Sequence, residues 1–441
     1  MYASETSQFV AGLVTDATQE PYHIVIGITH SQTCLTLTGR LRALREAGFR
    51  VTLISSPGEL LDRTAAREGV EAIGIPIRRD IAPFADLVSL LRLWWLLMRL
   101  KPDVCEFSTP KAGLLGSLAS LLAGVPARVY MLRGLKLETA LGIKRSLLLM
   151  AERTASACVQ SVLCNSQSMR NQALALGVAP AAKMRVLGDG SSNGVDTYRF
   201  SPGPSDIRAR FNLPQEALVV GFVGRLTRDK GIPELIEAFD TILKQQPDAH
   251  LLLVGWFDVS EDALAEEWRT RITYHSRIHC TGFVADTVPY YRAMDVMVLP
   301  TWREGFPNAV LEAAATGIPV ITTECTGSRD SVVPEVTGLL IPPGYPEAIS
   351  EAVLKLLGDP ERRRCMGEAA RNWVSLHFSD ERVLQLAISF YKSLLKPKPP
   401  SKHPGILAPN FFRRRDTTWL VPKEVDSIEG EVPVMVEEGM R

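Results

Sequence analysis

The sequence has no excess of charge of either sign, because 49 lysine and arginine residues balance 49 aspartate and glutamate residues among its 441 residues. A general nucleic-acid-binding protein would carry a basic surplus, so we do not expect that class. The seven cysteines form no Cys-x-x-Cys pair, and their number is odd. These features favour reduced core thiols over disulfides or a metal site, and we expect a cytoplasmic protein without a bound metal.

Long apolar runs are also missing. No segment has the roughly 18 apolar residues of a membrane-spanning helix, and the first twenty residues lack the pattern of a signal peptide. Residues 83–100 come near, but Arg92 and Arg99 interrupt them. This segment contains Trp94 and Trp95 and is flanked by basic residues at 78, 79 and 101. It fits either a helix lying in a bilayer interface or a core helix under a sheet.

Short apolar runs alternate with helical stretches along most of the chain. Seven runs are expected to be strands, at 23–29, 50–55, 70–75, 103–107, 127–132, 161–165 and 183–187. A turn-rich segment, 188–206, separates them from six more, at 217–224, 249–255, 277–283, 295–300, 318–323 and 337–342. Strands that alternate with helices predict two doubly wound α/β domains. We assign them to residues 1–200 and 201–378, and we expect the Pro-rich, acidic tail at 397–441 to be disordered.

One candidate site follows the first strand of the second domain, in the segment GFVGRLTRDKG. Gly224 lets a ligand approach the backbone, and Arg225 and Lys230 place two cations at the carboxyl end of the strand. The next helix adds the positive end of its dipole. Together these features suit a diphosphate, although a solvated basic turn would have the same sequence.

A second candidate lies in LPTWREGFPNAVLEAAATGIPVI, where a helix is expected to start near Pro307 or Asn308. Free amides between Gly305 and Asn308 would face the ligand. Glu312 could accept hydrogen bonds from a ribose diol, and Glu304 from the hydroxyls of a second sugar, because a carboxylate accepts from two hydroxyls at once. The alternative is an exposed loop glutamate and a helix glutamate favoured by the dipole.

The segments GRLTRDKG and EGFPNAVLEA, supported by CNS at 164–166 and NGVD at 193–196, resemble the signature of the retaining family 4 glycosyltransferases of the GT-B fold. The resemblance covers roughly residues 22–395 and implies two Rossmann-like domains that face each other across a cleft. A helix at 379–396 would cross back to the first domain. It further implies a nucleotide-sugar substrate on the second domain, and no cofactor. The implied donor site comprises Gly224, Arg225, Lys230, the backbone near Phe283 and Val284 at the base, Glu304, Gly305, Phe306, Pro307, Asn308 and Glu312.

Three residues are candidates for the acceptor side: His30 after the first strand, Lys111 at a helix start, and Arg133 after the fifth strand. Lys111 is either an anion site or a surface lysine. Many relatives have a histidine where this chain has Arg133. Arginine stays protonated and cannot act as a base, but it could bind a phosphate. The segments around these residues resemble the branch that builds capsule, exopolysaccharide or O-antigen repeat units on a lipid carrier.

The resulting hypothesis is transfer of a hexosyl or N-acetylhexosaminyl group, with retention, from a nucleoside diphosphate donor to a glycan hydroxyl. UDP is the expected nucleotide, and a polyprenyl-diphosphate-linked acceptor would bring the enzyme to the inner face of the membrane. Arg225, Lys230 and Glu304 are the candidate catalytic residues, and the two cations would neutralise the leaving diphosphate in place of a metal. A sugar-nucleotide 2-epimerase and a non-catalytic nucleotide-sugar binder remain as alternatives.

Overall fold

The structure, a computed structural model, describes residues 20–78 and 82–397. The predictions for the first 19 residues, for Arg79 and for the tail after residue 397 lie outside the described residues. In the described ranges, no helix combines the length and the apolar content needed to cross a bilayer.

The first sheet contains seven parallel strands in the order β3-β2-β1-β4-β5-β6-β7. They are β1 His23–Gly27, β2 Arg50–Ser55, β3 Glu71–Gly74, β4 Val104–Ser108, β5 Ala127–Leu132, β6 Ser161–Cys164 and β7 Met184–Arg185. The central strands are buried on both faces, as their continuous apolar runs predicted. Consecutive side chains of β1 pack in different cores, since Ile24 and Ile26 face one side of the sheet and Val25 the other.

Six helices connect these strands: α1 Arg40–Glu46, α2 Glu59–Glu68, α3 Pro83–Leu100, α4 Pro110–Leu122, α5 Gly142–Ala157 and α6 Gln167–Ala175. Helices α3, α4 and α5 pack side by side on one face of the sheet, while α1 packs on the other. Helix α3 buries only Ser89, Leu93 and Leu97. Leu93 and Leu97 lie in the core under the sheet, as one interpretation of the sequence required, and the other apolar side chains of α3 are half-buried or exposed.

The second sheet has six parallel strands in the order β10-β9-β8-β11-β12-β13. They are β8 Val219–Val223, β9 His250–Val254, β10 Ile278–Cys280, β11 Val296–Leu299, β12 Val320–Thr323 and β13 Gly338–Ile341. The remaining helices are α7 Ile207–Arg210, α8 Ile232–Gln245, α9 Glu266–Tyr274, α10 Val288–Tyr291, α11 Asn308–Ala315, α12 Pro346–Leu357, α13 Pro360–His377 and α14 Asp380–Leu394.

Helix α14 follows the second sheet in the chain but packs against the first. Its residues Ala387, Phe390 and Tyr391 belong to the core around β1. There the Tyr391 hydroxyl is hydrogen-bonded to both members of the buried Arg40–Glu106 ion pair, whose Nη2 and Oε2 atoms are 2.8 Å apart. Removal of either charged partner would leave the other buried and unpaired, so this network anchors the helix.

Each sheet has one point where the strand order reverses, between β1 and β4 in the first and between β8 and β11 in the second. Ligands of open α/β sheets bind beyond the carboxyl ends of the strands at such switch points. The predicted fold class, two Rossmann-like doubly wound domains, is confirmed. The assignment of the boundary to residues 200 and 201 stays a prediction.

Candidate active site

The loop after β8 carries both predicted cations, and each is ion-paired. Arg225 pairs with Asp258, which follows β9. Lys230 ends a short 3₁₀ turn and pairs with Glu304, which follows β11. Lys230 and Glu304, predicted separately from two segments, therefore meet at the switch point of the second sheet. In the described residues each cation thus has a carboxylate as its partner, where a diphosphate was expected.

The loops after β8 and β11 are bound to each other through Asp229. Its backbone oxygen accepts hydrogen bonds from the Trp302 amide at 2.9 Å and from the Thr301 hydroxyl at 3.1 Å, and its carboxylate pairs with Arg303 at 2.9 Å. Gly231 has a φ of +72°, and a Cβ atom there would lie 2.0 Å from a backbone oxygen of the second loop. A larger residue would separate the loops, so the position of Lys230 depends on this contact.

The segment after Glu304 lies against the first domain. A Cβ atom on Gly305 would lie 1.8 Å from the Arg133 backbone oxygen, so only glycine permits this approach. The amides of Gly305, Phe306 and Asn308 have no acceptor in the part of the chain that the structure describes. These amides are therefore available to hydrogen-bond an anion.

Helix α11 begins at Asn308, as expected, and Pro307 precedes it without a side-chain cap. Two residues of the implied donor site contribute less than expected. Pro307 has no N–H and cannot contribute a donor. The Phe306 ring is buried against Phe378, with ring centroids 5.1 Å apart, so it offers a ligand only its backbone.

Glu312 lies in the second turn of α11 and accepts a hydrogen bond from the Tyr291 hydroxyl at 2.9 Å. Burial raises the pKa of Glu312 to about 7, despite the opposing effect of that bond. Tyr291 itself is fully buried, and burial raises its pKa well above the usual value. A carboxyl group with this pKa changes its charge near neutral pH, so its capacity to accept hydrogen bonds from a diol depends on pH.

The predicted base-binding region follows β9 and β10. Phe283 is 59% exposed, and its ring meets the Trp256 ring edge-on at 5.5 Å. Val284 is half-buried against the domain core. Gly224 directly follows β8, and its amide donates to the Val254 backbone oxygen at 3.0 Å. The region offers exposed aromatic surface beside the backbone of the strand ends.

Two of the three predicted acceptor-side residues flank the switch point of the first sheet. Thr29, which precedes His30, and Thr109, which precedes α4 and Lys111, are joined by their hydroxyls, 2.5 Å apart. The Nδ1 atom of His30 accepts a hydrogen bond from the Gln32 amide at 3.2 Å. Lys111 is mostly buried and pairs with Asp86 of α3 at 2.7 Å, so it is not an exposed surface lysine.

Arg133 follows β5 and is the third acceptor-side residue. Its Nη1 atom donates to the Ser192 hydroxyl at 3.0 Å. Its Nε and Nη2 atoms are buried and have no partner in the described ranges. Burial, reinforced by the nearby Arg40, lowers its pKa to about 10, so the guanidinium remains charged at neutral pH. It thus retains unused donors on a cation, an arrangement suited to an anionic group.

Three contacting residues were not predicted from the sequence: Asp258, Tyr291 and Ser192. Asp258 had a usable signal, since it stands shortly after a strand of the second sheet, where ligand-facing residues cluster. Tyr291 and Ser192 had no such signal, because each contacts a predicted residue, Glu312 or Arg133, from a distant segment of the chain. No group of three or more metal-ligand side chains occurs within 20–78 and 82–397.

Two family models match the chain. A glycosyl transferase 4-like domain covers residues 37–190, and a model described as glycosyl transferases group 1 covers residues 217–359. Solved structures share the whole architecture. A glycosyltransferase from Rickettsia africae ESF-5 has a TM-score of 0.70 at 18% identity, covering 86% of this chain and all of its own. Anabaena HepE in complex with UDP-glucose has a TM-score of 0.69 at 20% identity, covering 84% of this chain and all of its own.

The proteins that are similar in sequence have more specific names. The capsular polysaccharide biosynthesis glycosyltransferase CapM of Staphylococcus aureus is 35% identical over 379 residues, which are 86% of this chain and 98% of that protein. The UDP-Gal:alpha-D-GlcNAc-diphosphoundecaprenol alpha-1,3-galactosyltransferase of Escherichia coli is 28% identical over 76% of this chain and 89% of its own. With the motifs on the loops after β8 and β11, and with two doubly wound domains, this chain belongs to the family 4 glycosyltransferases of the GT-B fold.

Proposed function

We propose that the chain transfers a hexosyl or N-acetylhexosaminyl group from a UDP-linked donor to a hydroxyl of a lipid-linked glycan, with retention of the anomeric configuration. The reaction would belong to surface polysaccharide synthesis. One observation supports this proposal above the others. The loops after β8 and β11 bring two cations, Glu304 and unbonded amides to the switch point of the second sheet. A diphosphate and a sugar together match this set of groups.

In the proposed donor complex, Arg225, Lys230 and the amides of Gly305, Phe306 and Asn308 bind the diphosphate. Glu312 accepts from both ribose hydroxyls, while Glu304 accepts from hydroxyls of the transferred sugar. The diphosphate takes over from Asp258 and Glu304 as partner of the cations. Charge-assisted hydrogen bonds to two cations on one loop then hold the diphosphate in one orientation.

The proposed reaction breaks the bond between the sugar's anomeric carbon and the diphosphate oxygen. The acceptor hydroxyl attacks from the same face, and its proton passes to the departing phosphate oxygen. The two cations stabilise the charge that develops on the diphosphate. No cofactor and no metal is required, since the nucleotide-sugar is a substrate and the side chains supply the positive charge.

The acceptor side of the proposal depends on Arg133, whose backbone oxygen lies against Gly305 and whose guanidinium has two donors without a partner in the described ranges. Those donors suit the diphosphate of a polyprenyl carrier. The Escherichia coli relative is named for a diphosphoundecaprenol-linked acceptor and a UDP donor, and the Staphylococcus aureus relative for capsular polysaccharide. The Escherichia coli name agrees with a lipid-linked acceptor and with UDP, and the Staphylococcus aureus name agrees with surface polysaccharide synthesis.

The test is incubation of the purified protein with labelled nucleotide-sugars and a membrane lipid extract, followed by analysis of the lipid fraction. We expect the label of a UDP-linked donor to appear in the lipid fraction. The new linkage should have the same anomeric configuration, axial or equatorial, as the donor. Donor isomerisation without acceptor would instead indicate an epimerase. Binding without turnover across the whole panel would indicate a non-catalytic binder.

The role of Arg133 has a separate test. Arg133→Met should reduce transfer to the lipid-linked acceptor while donor affinity, measured calorimetrically with a UDP-sugar, stays within about twofold. Loss of donor affinity would place Arg133 on the donor side instead.

A further inference from the structure

The outer side of α3 presents an uninterrupted apolar stripe. Seven residues form this stripe: Phe84, Leu87, Val88, Leu91, Trp94, Trp95 and Met98. Their spacing of three and four residues places them along one side of the helix, opposite the core-facing Ser89, Leu93 and Leu97. Phe84 is 89% exposed, and the least exposed member, Trp94, is still 37% exposed. An ordinary surface helix would carry polar residues at these positions.

The neighbouring helices extend this apolar surface. Leu121 and Leu122 at the end of α4 are exposed, as are Ile143, Leu147 and Met150 on α5. Leu141, just before α5, is 86% exposed. Since α3, α4 and α5 pack side by side on one face of the first sheet, these residues share that face with the stripe. The surface is larger than the scattered apolar residues that every soluble protein exposes.

The charges on the same three helices are of one sign once internal pairs are removed. The three helices contain two carboxylates, Asp86 and Glu152. Asp86 pairs with Lys111, and Glu152 is buried and accepts from the Tyr130 hydroxyl at 2.7 Å. The basic side chains on these helices include Arg92, Arg99 and Arg145, whereas Lys144 pairs with Glu261 of the second domain at 2.8 Å. Among them Arg99 stacks on Trp95, with its guanidinium carbon 3.4 Å from the ring centroid.

This surface reaches the acceptor side of the enzyme. Helices that follow parallel strands begin at the carboxyl ends of those strands, where the switch point lies. Phe84 at the start of α3 and Leu141 before α5 therefore mark the end of the surface nearest the cleft. The Asp86–Lys111 pair lies at the same end.

We propose that the outer face of α3, α4 and α5 docks on a bilayer that contains anionic lipid. The apolar stripe enters the boundary between headgroups and acyl chains, and the basic side chains meet the lipid phosphates. Tryptophan and arginine, which sit favourably at this depth, are both present on α3. The cleft end of the surface then lies at the level of the headgroups. This inference does not rest on the proposed reaction, because membrane docking can be measured without substrates.

The test is co-sedimentation of the full chain with phosphatidylcholine vesicles, with and without about one-third phosphatidylglycerol. The variant L87E/L91E/W95E changes three stripe residues that are 53%, 52% and 50% exposed. The matched control, Y274E/V336E/L376E, changes apolar residues of the second domain that are 83%, 54% and 67% exposed. Both variants add three negative charges, so a general charge effect would act on them equally.

We expect the unmodified chain to bind the anionic vesicles, with binding that weakens as salt rises. The stripe variant should lose at least about tenfold in partition coefficient, and the control should stay within about twofold. Equal losses in both variants, or no vesicle binding by the unmodified chain, would overturn the proposal. So would self-association that the stripe variant abolishes, since the stripe would then bind a second copy. Thermal melting and UDP-sugar binding of both variants would show that the fold and the donor site are intact.

Discussion

The raised pKa of Glu312 allows a quantitative test of its proposed contact with the donor ribose. Burial sets this pKa to about 7, and only the ionised carboxylate accepts from both hydroxyls of a diol. About nine-tenths of the side chains are ionised at pH 8 and about one-tenth at pH 6, so donor affinity should fall about tenfold between these values. The assay is titration calorimetry with an intact UDP-sugar, because the phosphate of free UDP titrates in the same range.

Glu152 provides a matched control for this experiment. Its pKa is also raised by burial to about 7, and it also accepts from a buried tyrosine hydroxyl, but it lies in the first domain. Glu312→Gln should bind the donor weakly and independently of pH, whereas Glu152→Gln should keep the pH dependence of the unmodified chain. A flat profile for the unmodified chain, or an altered one in Glu152→Gln, would refute the ribose contact.

The same two variants should behave alike in unfolding. In each case the pKa in the folded state lies above the ordinary glutamate value of 4.5. The folded state therefore disfavours the ionised form, and stability is lost as pH rises from about 4.5 to about 7. Either glutamine variant should melt at a higher temperature than the unmodified chain at pH 8. This shared gain separates the effect on folding from the effect on the donor.

Three further predictions concern charged groups. Lys230→Ala should lower kcat by about 10²–10³-fold in a turnover assay, because it removes a cation from the leaving diphosphate. The Arg228 side chain donates instead to the Glu261 backbone oxygen, so Arg228→Ala should lower kcat by less than about threefold in the same assay. Asp258→Asn should strengthen UDP-sugar binding by about two- to fivefold in calorimetry, because it frees the cation that Asp258 neutralises; weaker binding would contradict the exchange of partners. Glu106→Ala should lower the free energy of unfolding by about 3–5 kcal/mol in urea titration, because it leaves a buried guanidinium unpaired; a loss under about 1 kcal/mol would show that solvent reaches that cluster.

The order of elements could be predicted from the sequence because the central strands are buried on both faces. A strand such as β8, Val219–Val223, is then a short continuous apolar run between polar segments. The residues at the carboxyl ends of these strands were found for the same reason, since the strand ends mark where ligands bind. Lys230 and Glu304, 74 positions apart, are examples.

The contacts within the site could not be predicted, because they depend on packing between distant segments. Arg225 meets Asp258 only when β8 and β9 are paired, and Lys111 meets Asp86 only when α3 and α4 pack together. The two interpretations of α3 also could not be separated by periodicity. Both of its faces are apolar, so the sequence contains no contrast that identifies the buried one.

The ion pairs of the donor site also bear on how the proposed enzyme would distinguish substrate from product. Lys230 can leave Glu304 for a diphosphate only if Glu304 gains other partners, since a partly buried carboxylate without donors is costly. An intact nucleotide-sugar supplies new partners for both residues. Its phosphates bind the Lys230 ammonium, and its sugar hydroxyls donate to the Glu304 carboxylate. After transfer the sugar has gone, and UDP alone satisfies only the cation. Glu304 then competes for Lys230 again, so the pair that must open for the donor favours release of the spent nucleotide.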